Sequence, residues 1–592
     1  MYTAIVRKYE AARAPFIGLL AASCLLAACG TGNQAPAPEL TASAALGDTA
    51  DFVFRGGAVY TVDAERSWAE ALAVRDGRIV FVGNDEDAAA WIGSQSRLIE
   101  LEGRMVVPGF QDAHIHPISG GIEALSCDLN DADEVEQYLA IVRQCVEDRP
   151  GDGWFTGGGW SMSAFGPGAL ASKALLDEIV SDRPVYLPSQ DGHSAWVNSR
   201  ALEIAGITAA TPDPADGRID RDPASGEAIG SLQEGAMDLV AAHLPPVTLE
   251  DRVNGLRHSI RMLNAYGITA IQDASVEDAD LQAYAALDGV GELSLRVVAA
   301  QWWEREQGLE QIAGMRQRRE QYTRGRVNAG SVKIMQDGVM ENYTAAMLDP
   351  YLVEGSPRGI PMIEPEFLKE AVAALDAEGF QVHFHAIGDA AVRQSLDAVE
   401  HALERNGDRD LRHHISHLEL IHADDIARFA ALNVVANFQP LWAYPDEYIT
   451  ELTVPFIGPE RAQWLYPIGS VLESGGTIAF GSDWSVSTAN PFAQMEVAVR
   501  RADPLDDDDG EVLLPGQTIA LADAIAAFTI NAAFVNRLEN ETGSLEVGKA
   551  ADLAVLDRNL FEIDAHELSA TEVVMTMIAG EIVYEQLTDS EL

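Results

Sequence analysis

Short apolar runs that end in ionisable residues alternate with helix-like segments through the middle of this chain. That alternation predicts βα units and a parallel sheet. Eight runs read as strands: VVPGFQDAHIH (106–116), GITAIQDA (267–274), LSLRVVAAQ (293–301), GSVKIMQDG (330–338), FQVHFHAIGD (380–389), RHHISHLE (412–419), NVVANFQP (433–440) and TIAFGSDW (477–484). Segments such as PEFLKEAVAALDAEG, rich in Ala, Leu and Glu, lie between them. Eight such units predict an α/β fold, a (β/α)8 TIM barrel, in which the C-terminal ends of the strands form the active face.

The flanks differ. Residues 51–108 alternate apolar and polar positions around Gly turns, and KAADLAVLDRN and EVVMTMIAGEIVYE repeat that character near the other end. The two pieces are expected to pair into one small β-sandwich, 51–108 plus 541–592, around a barrel spanning 109–540. The gap of about 117–266 after the first barrel strand is too long for one loop and helix, and predicts an insertion with structure of its own.

The N-terminus reads as an export signal. Arg7, Lys8 and Arg13 precede a short apolar run, Pro15 to Ala28, that is too short and too rich in small residues for a transmembrane helix. The run ends in Leu26-Ala27-Ala28-Cys29-Gly30, which resembles a bacterial lipobox. That resemblance implies a signal peptide over 1–28, a lipid anchor on Cys29 and a flexible tether over 29–50. Gly30 is not the Asp associated with inner-membrane retention, so the reading favours a cell-envelope lipoprotein on the outer membrane, facing the periplasm. In an oxidising compartment Cys127 and Cys145 are open to disulfide formation, with two buried thiols as the competing state.

Ninety-two acidic against 40 basic residues give a net charge of −52. Such a surface repels phosphate, which excludes nucleic acid as a partner; it serves solubility, or attracts cationic substrates. Membrane contact is expected only through the lipid anchor, and a homodimer is compatible with the chain.

The strand ends carry the chemistry. His114 and His116 are two apart, so both face one side of a strand, where two imidazoles can bind one metal. His385, in VHFHAIGD, shares its face with His383, and the more C-terminal of the two lies nearer the active rim. His417 ends HHISH, with His413 and His414 as alternatives. Asp483, in FGSDW, places a carboxylate at the end of an apolar strand, where a metal can supply the partner a buried charge needs. Lysine occurs only at positions 8, 173, 333, 369 and 549, so Lys333 inside VKIMQDG stands out. As a carbamate, after reaction with carbon dioxide, its side chain becomes an anionic ligand able to bridge two metals. A lysine that reaches solvent, or one paired with Asp337, is the competing reading.

Together these residues resemble the amidohydrolase superfamily, and in particular the branch containing N-substituted formamide deformylases. The matching stretches are VVPGFQDAHIHP, DGHSAWVNSRAL, GSVKIMQDGVMENYTAAM, HFHAIGDAAV, AFGSDWSV, FTINAA and GSLEVGKAADLAVLD. The resemblance implies that His114, His116 and Asp483 hold one divalent metal, that His385 and His417 hold another, and that carbamylated Lys333 bridges them. It implies a bridging hydroxide as nucleophile, Asp483 as general acid–base, and His193 of the insertion binding or polarising the scissile carbonyl. Nitrogen and oxygen ligands suit zinc best. The branch commonly has Glu before the sixth-strand histidine; Ser416 stands here instead, which opens the question of how His417 is oriented. The expected substrate is a small N-substituted amide, apolar or aromatic if tryptophans line the pocket. Trp160 and Trp196 are the candidates for that role in the insertion, which also holds Trp154 and Phe165; Trp302, Trp303, Trp442 and Trp484 lie near strand ends. A mononuclear deaminase or cyclic-amide hydrolase on the same barrel, and a lipid-anchored binding protein with a decayed site, are the rival readings.

Overall fold

The computed structural model describes residues 49–130, 132, 134–166, 170–505 and 510–586. The signal peptide, Cys29 and nearly all of the tether lie outside the described residues. Eight strands form one all-parallel sheet in chain order: Phe110–Ile115, Ile268–Val276, Arg296–Trp302, Val327–Met335, Gln381–Ala386, His414–His417, Val435–Phe438 and Ile478–Phe480. We number these barrel strands one to eight. Two backbone bonds just beyond the eighth strand join it to the first: Asp483 N–H donates to His114 O at 2.8 Å, and His116 N–H to Trp484 O at 2.9 Å. The ring is the (β/α)8 barrel that the alternation predicts. Strands covered on both faces can be apolar throughout, which is why these runs are buried along their whole length rather than at alternate positions.

The helices between strands carry local start signals. The helix Leu249–Ala265 begins in a capping box, where the Thr248 hydroxyl accepts from Asp251 N–H and the Asp251 carboxylate accepts from Thr248 N–H. Pro365 opens the helix Pro365–Ala377, where a missing N–H costs nothing.

The run read as one strand over 106–116 is two. Met105–Pro108 belongs to a six-stranded sheet outside the barrel, and Phe110–Ile115 to the barrel itself. Gly109 is the joint: a Cβ there would come within 2.3 Å of the Thr269 side chain, so only glycine lets the chain pass from one sheet to the other. The six-stranded sheet joins both chain ends, since Met105–Pro108 pairs with Leu553–Leu556, and Val573–Ile578 and Glu581–Glu585 follow outward. A four-stranded sheet of N-terminal strands packs near it, and Phe54, Val59, Leu72, Leu553 and Met577 share one core.

The insertion builds a third sheet, with strand order Gly217–Arg221, Ala228–Glu234, Ser194–Val197, Val185–Pro188, Phe155–Gly158 and Cys127–Asp128. Cys127 and Cys145 are disulfide-bonded, with their Cα atoms 5.8 Å apart. Trp160 and Trp196, expected to contact substrate, are 0% exposed and pack edge-on with Phe165 inside the insertion. Their indole N–H groups donate to Leu187 O and Ser172 O, so both side chains are satisfied as packing residues. That corrects their assignment: a large apolar ring with its one donor spent inside the core has nothing left to offer a ligand. The insertion docks on the barrel rim through Tyr448, whose hydroxyl lies 3.0 Å from Ser161 Oγ and from Met162 N, and through Arg218, which donates to Asn342 O at 2.9 Å. Among the described residues, no helix is long and apolar enough to cross a membrane.

Candidate metal centre

The barrel gathers the ionisable strand ends into one buried cluster. His116 Nε2 and His114 Nε2 lie 3.1 and 3.3 Å from Asp483 Oδ1, and His417 Nδ1 lies 3.7 Å from Asp483 Oδ2. One ligand atom each from His114, His417 and Asp483 falls within 4.8 Å of the others. The His385 ring stands 4.4 Å from that of His417.

Two of these side chains reach the cluster by breaking strand geometry. In the parallel ladder His383 pairs with His414, and His385 with Ser416, so His414 and Ser416 share the inward face. Strict alternation would then turn His417 outward. Instead His417 has φ of 78° and Leu418 of 55°, left-handed values that end the strand and swing the imidazole over the rim. Asp483, three residues past the end of the eighth strand, also has a left-handed φ, 54°. Non-glycine residues held this way cost of order 1–3 kcal/mol each and persist where the surroundings over-determine them. Here the surroundings are Gln439, whose Oε1 accepts from His417 N–H at 2.9 Å, and Trp442, stacked on the His417 ring at 5.6 Å. They answer the question raised by Ser416: His417 is oriented without a carboxylate before it. Ser416 Oγ instead bonds His383 Nε2 at 2.7 Å, and His383 Nε2 also meets His114 Nδ1 at 2.7 Å. His383 therefore sits beneath the cluster and braces His114, while His385 lies at the rim. His385 Nε2 is 3.3 Å from Gly338 O; a carbonyl only accepts, so Nε2 carries the proton and Nδ1 keeps its lone pair for a ligand. His413 accepts from Val382 N–H and pairs with Asp376, both away from the cluster.

Protonation states suit a cation. Burial takes His114 down to about 3 and drives His385 and His417 well below the usual imidazole range, leaving neutral rings with free lone pairs. Burial opposes charge on Asp483, and the neighbouring His114 and His116 pull it well below the usual carboxylate range; with His114 neutral, a cation between them is what can supply the counter-charge. His114 Nε2, His417 Nδ1 and Asp483 Oδ1 are all buried without a hydrogen-bond partner. Lone pairs facing lone pairs in a buried space are costly unless a cation stands between them, so the donor set fits a divalent metal. Lys333 is 3% exposed, and burial lowers it to about 7 against the pull of Asp483. Lys333 stands in register with His383, the residue beneath the cluster, and its burial keeps the side chain from the solvent. The Asp337 carboxylate is taken up by the backbone N–H groups of Ala346, Ile387 and Gly388.

His193 approaches from the insertion, its ring 5.3 Å from that of His385. Its Nδ1 lies 3.0 and 3.1 Å from the two oxygens of Glu234, whose Oε1 also receives the Thr344 hydroxyl at 2.6 Å. Burial pulls His193 down, but the Glu234 charge and hydrogen bond overcome it and raise the imidazolium to about 9. Glu234, 41 residues from His193 and 110 from Thr344, carries no local motif, and sequence reasoning missed it. Trp442 and Ser416 were visible only as a nearby aromatic and as a missing carboxylate.

This arrangement has relatives. The amidohydrolase family matches residues 97–584. The chain is 32% identical over 552 residues to Protein LONG AFTER FAR-RED 3 of Arabidopsis thaliana, covering 91% of this chain and 92% of that one. It is 26% identical over 544 residues to the N-substituted formamide deformylase of Arthrobacter pascens, covering 89% and 97%. Its fold superposes on the crystal structure of an uncharacterized metal-dependent hydrolase from Pyrococcus horikoshii OT3, with a TM-score of 0.68 and 24% identity, over 87% of this chain and 99% of that one. With a family match across most of its length and a metal-ready cluster at the strand ends, the chain belongs to the amidohydrolase family of metal-dependent hydrolases.

Proposed function

We propose that this enzyme hydrolyses the carbon–nitrogen bond of a small N-substituted, non-peptide amide at a two-metal centre. The observation that carries the reading is the set of unpartnered buried atoms on His114, His417 and Asp483 at the C-terminal rim of the barrel. In this reading His114, His116 and Asp483 would hold one ion, and His385 and His417 would hold a second. Lys333 would serve as a carbamate ligand: its neutral amine would add to carbon dioxide, lose a proton and become anionic. Divalent ions, zinc best matching these donors, would supply hydroxide at neutral pH and polarise a carbonyl oxygen.

The chain's own groups do the rest. Asp483 is ionised, so it accepts a proton from the nucleophile and passes it to the departing nitrogen. His193, protonated against Glu234, donates a hydrogen bond to the carbonyl oxygen as negative charge grows there. Trp442 presents an aromatic face beside His417. The printed activity of the Arthrobacter relative supports the substrate class.

The compact fit of His114, His417 and Asp483 around one position favours, as a second reading, a mononuclear deaminase on the same barrel. Elemental analysis of the purified chain, alongside assay on a panel of N-substituted formamides and on aminated purines, separates the two. Two ions per chain with formamide cleavage is the expected result; one ion with deamination alone overturns the proposal. We further propose that the chain is an envelope lipoprotein acylated at Cys29, which mass spectrometry of the membrane fraction tests.

A further inference from the structure

The loop after the fourth barrel strand touches both sides of the candidate centre. Its base is closed where Ala346 N–H donates to Asp337 Oδ2 at 2.8 Å. The same carboxylate receives the N–H groups of Ile387 and Gly388, just past His385, at 3.0 and 2.9 Å. Gly338 O lies 3.3 Å from His385 Nε2. The loop is thereby fixed against the strand that carries His385. Its far end meets the insertion: the Thr344 hydroxyl lies 2.6 Å from Glu234 Oε1, on the carboxylate that pairs with His193.

Three observations make this contact more than packing. The Thr344 oxygen accepts from Val339 N–H at 2.9 Å, and Thr344 N–H donates to Val339 O at 3.0 Å, so the barrel backbone fixes the hydroxyl. Its one proton has Glu234 Oε1, Asn342 Oδ1 and, at 3.3 Å, Val339 O in reach, and the charged acceptor bonds most strongly. The approach is also close enough to require glycine: a Cβ on Gly338 would stand 2.0 Å from Thr344 Oγ1 and 2.3 Å from Glu234 Oε1. Finally, Glu234 and Tyr343 hold left-handed φ of 51° and 66°. Such backbone persists where the surroundings over-determine it. A carboxylate anchored through Oε1 keeps both oxygens on His193 Nδ1, at 3.1 and 3.0 Å. The imidazole is rigid, so fixing Nδ1 beside the His385 ring, 5.3 Å away, also fixes where Nε2 points.

We propose that Thr344 is a positioning residue: its hydroxyl ties Glu234 to the barrel and so aims the far N–H of His193 at the substrate oxygen that gains charge. This deepens the amide-hydrolysis reading and rests on its assignment of His193.

The test is a double-mutant cycle in the metal-loaded full chain, with N-benzylformamide as substrate. The near-isosteric Thr344→Val should lower kcat about tenfold, the scale of one hydrogen bond to a charged group, with KM changed less than about twofold and metal content intact. Thr344→Ser, which keeps the hydroxyl, should recover most of the loss. In a Glu234→Ala background Thr344→Val should cost less than about twofold, because no carboxylate is left to position. Equal losses in the two backgrounds overturn the proposal, since packing alone would give them. So does Thr344→Ser as slow as Thr344→Val, or a Thr344→Val chain that loses metal. Thr344→Ala carries the same cycle if Thr344→Val does not fold. Deamination of aminated purines in place of formamide cleavage overturns the amide reading alone, and the cycle is then read on that substrate. A chain that turns over neither overturns both.

Discussion

The two sides of the barrel mouth hold histidines in opposite states. On the strand side, His114, His385 and His417 are crowded by one another and by Lys333, and burial keeps them neutral. On the insertion side, His193 is just as closely surrounded but has the Glu234 carboxylate at 3.0 Å, and it stays charged. The same side chain thus becomes a lone-pair donor in one place and a proton-bearing cation 5.3 Å away, ring to ring. The difference lies in the partner each imidazole is given and not in burial, which acts in the same direction on both.

Removing the strand-side anion should have the largest effect. Asp483→Ala is expected to lower kcat by about 10³-fold or more and to reduce bound metal, read by steady-state kinetics and elemental analysis, because under the proposed roles it removes a ligand and a proton acceptor together. Full metal content with full activity would falsify the division of roles. Lys333→Ala should lower kcat by about 10²-fold or more, with partial recovery in added formate or propionate, which can replace the oxygens of the proposed carbamate. Recovery by added amines rather than acids would break the bridging assignment.

The insertion side should respond more weakly and in a different way. Glu234→Gln leaves His193 in place without its counter-charge. It should lower kcat/KM by about 10- to 100-fold and shift the basic limb of the pH–rate profile downward, with metal content unchanged. Glu234→Asp should recover part of the loss. Stability sharpens the same point. His193 is raised from 6.5 to about 9 in the fold, so the pair's contribution is fully present below about pH 6.5 and is lost as pH rises through about 9. The gap in Tm between the wild-type chain and Glu234→Gln should therefore narrow between those values; a constant gap would mean that the pair is not charged. The smallest effect belongs to the brace beneath the cluster. Ser416→Ala removes one hydrogen bond to His383 and should cost about 1 kcal/mol by denaturant unfolding, with a modest loss of metal affinity.

Much of this was legible in the chain itself. Period and composition suffice for a parallel sheet, because strands buried on both faces read as apolar runs wherever they occur, and the ionisable residues stand at their ends. The spacing of His114 and His116 put both on one face. The strand boundary at Gly109 was not legible, since VVPGF is apolar on both sides and only the approach of Thr269 shows why the chain turns there. The tryptophans of the insertion misled for a related reason: a sequence shows that a ring is large, and not which of its neighbours has already taken its N–H.

What the sequence by itself determined was the barrel and the identity of the side chains offered to its rim, because both follow from local periodicity and residue type. The tertiary structure alone decided which of those side chains face one another. His417 and Asp483 turn inward through left-handed backbone that no strand pattern encodes, and His193 owes its charge to a carboxylate 41 residues away. Protonation and orientation depend on distances of a few ångströms between atoms remote along the chain, and only the packed fold sets those distances.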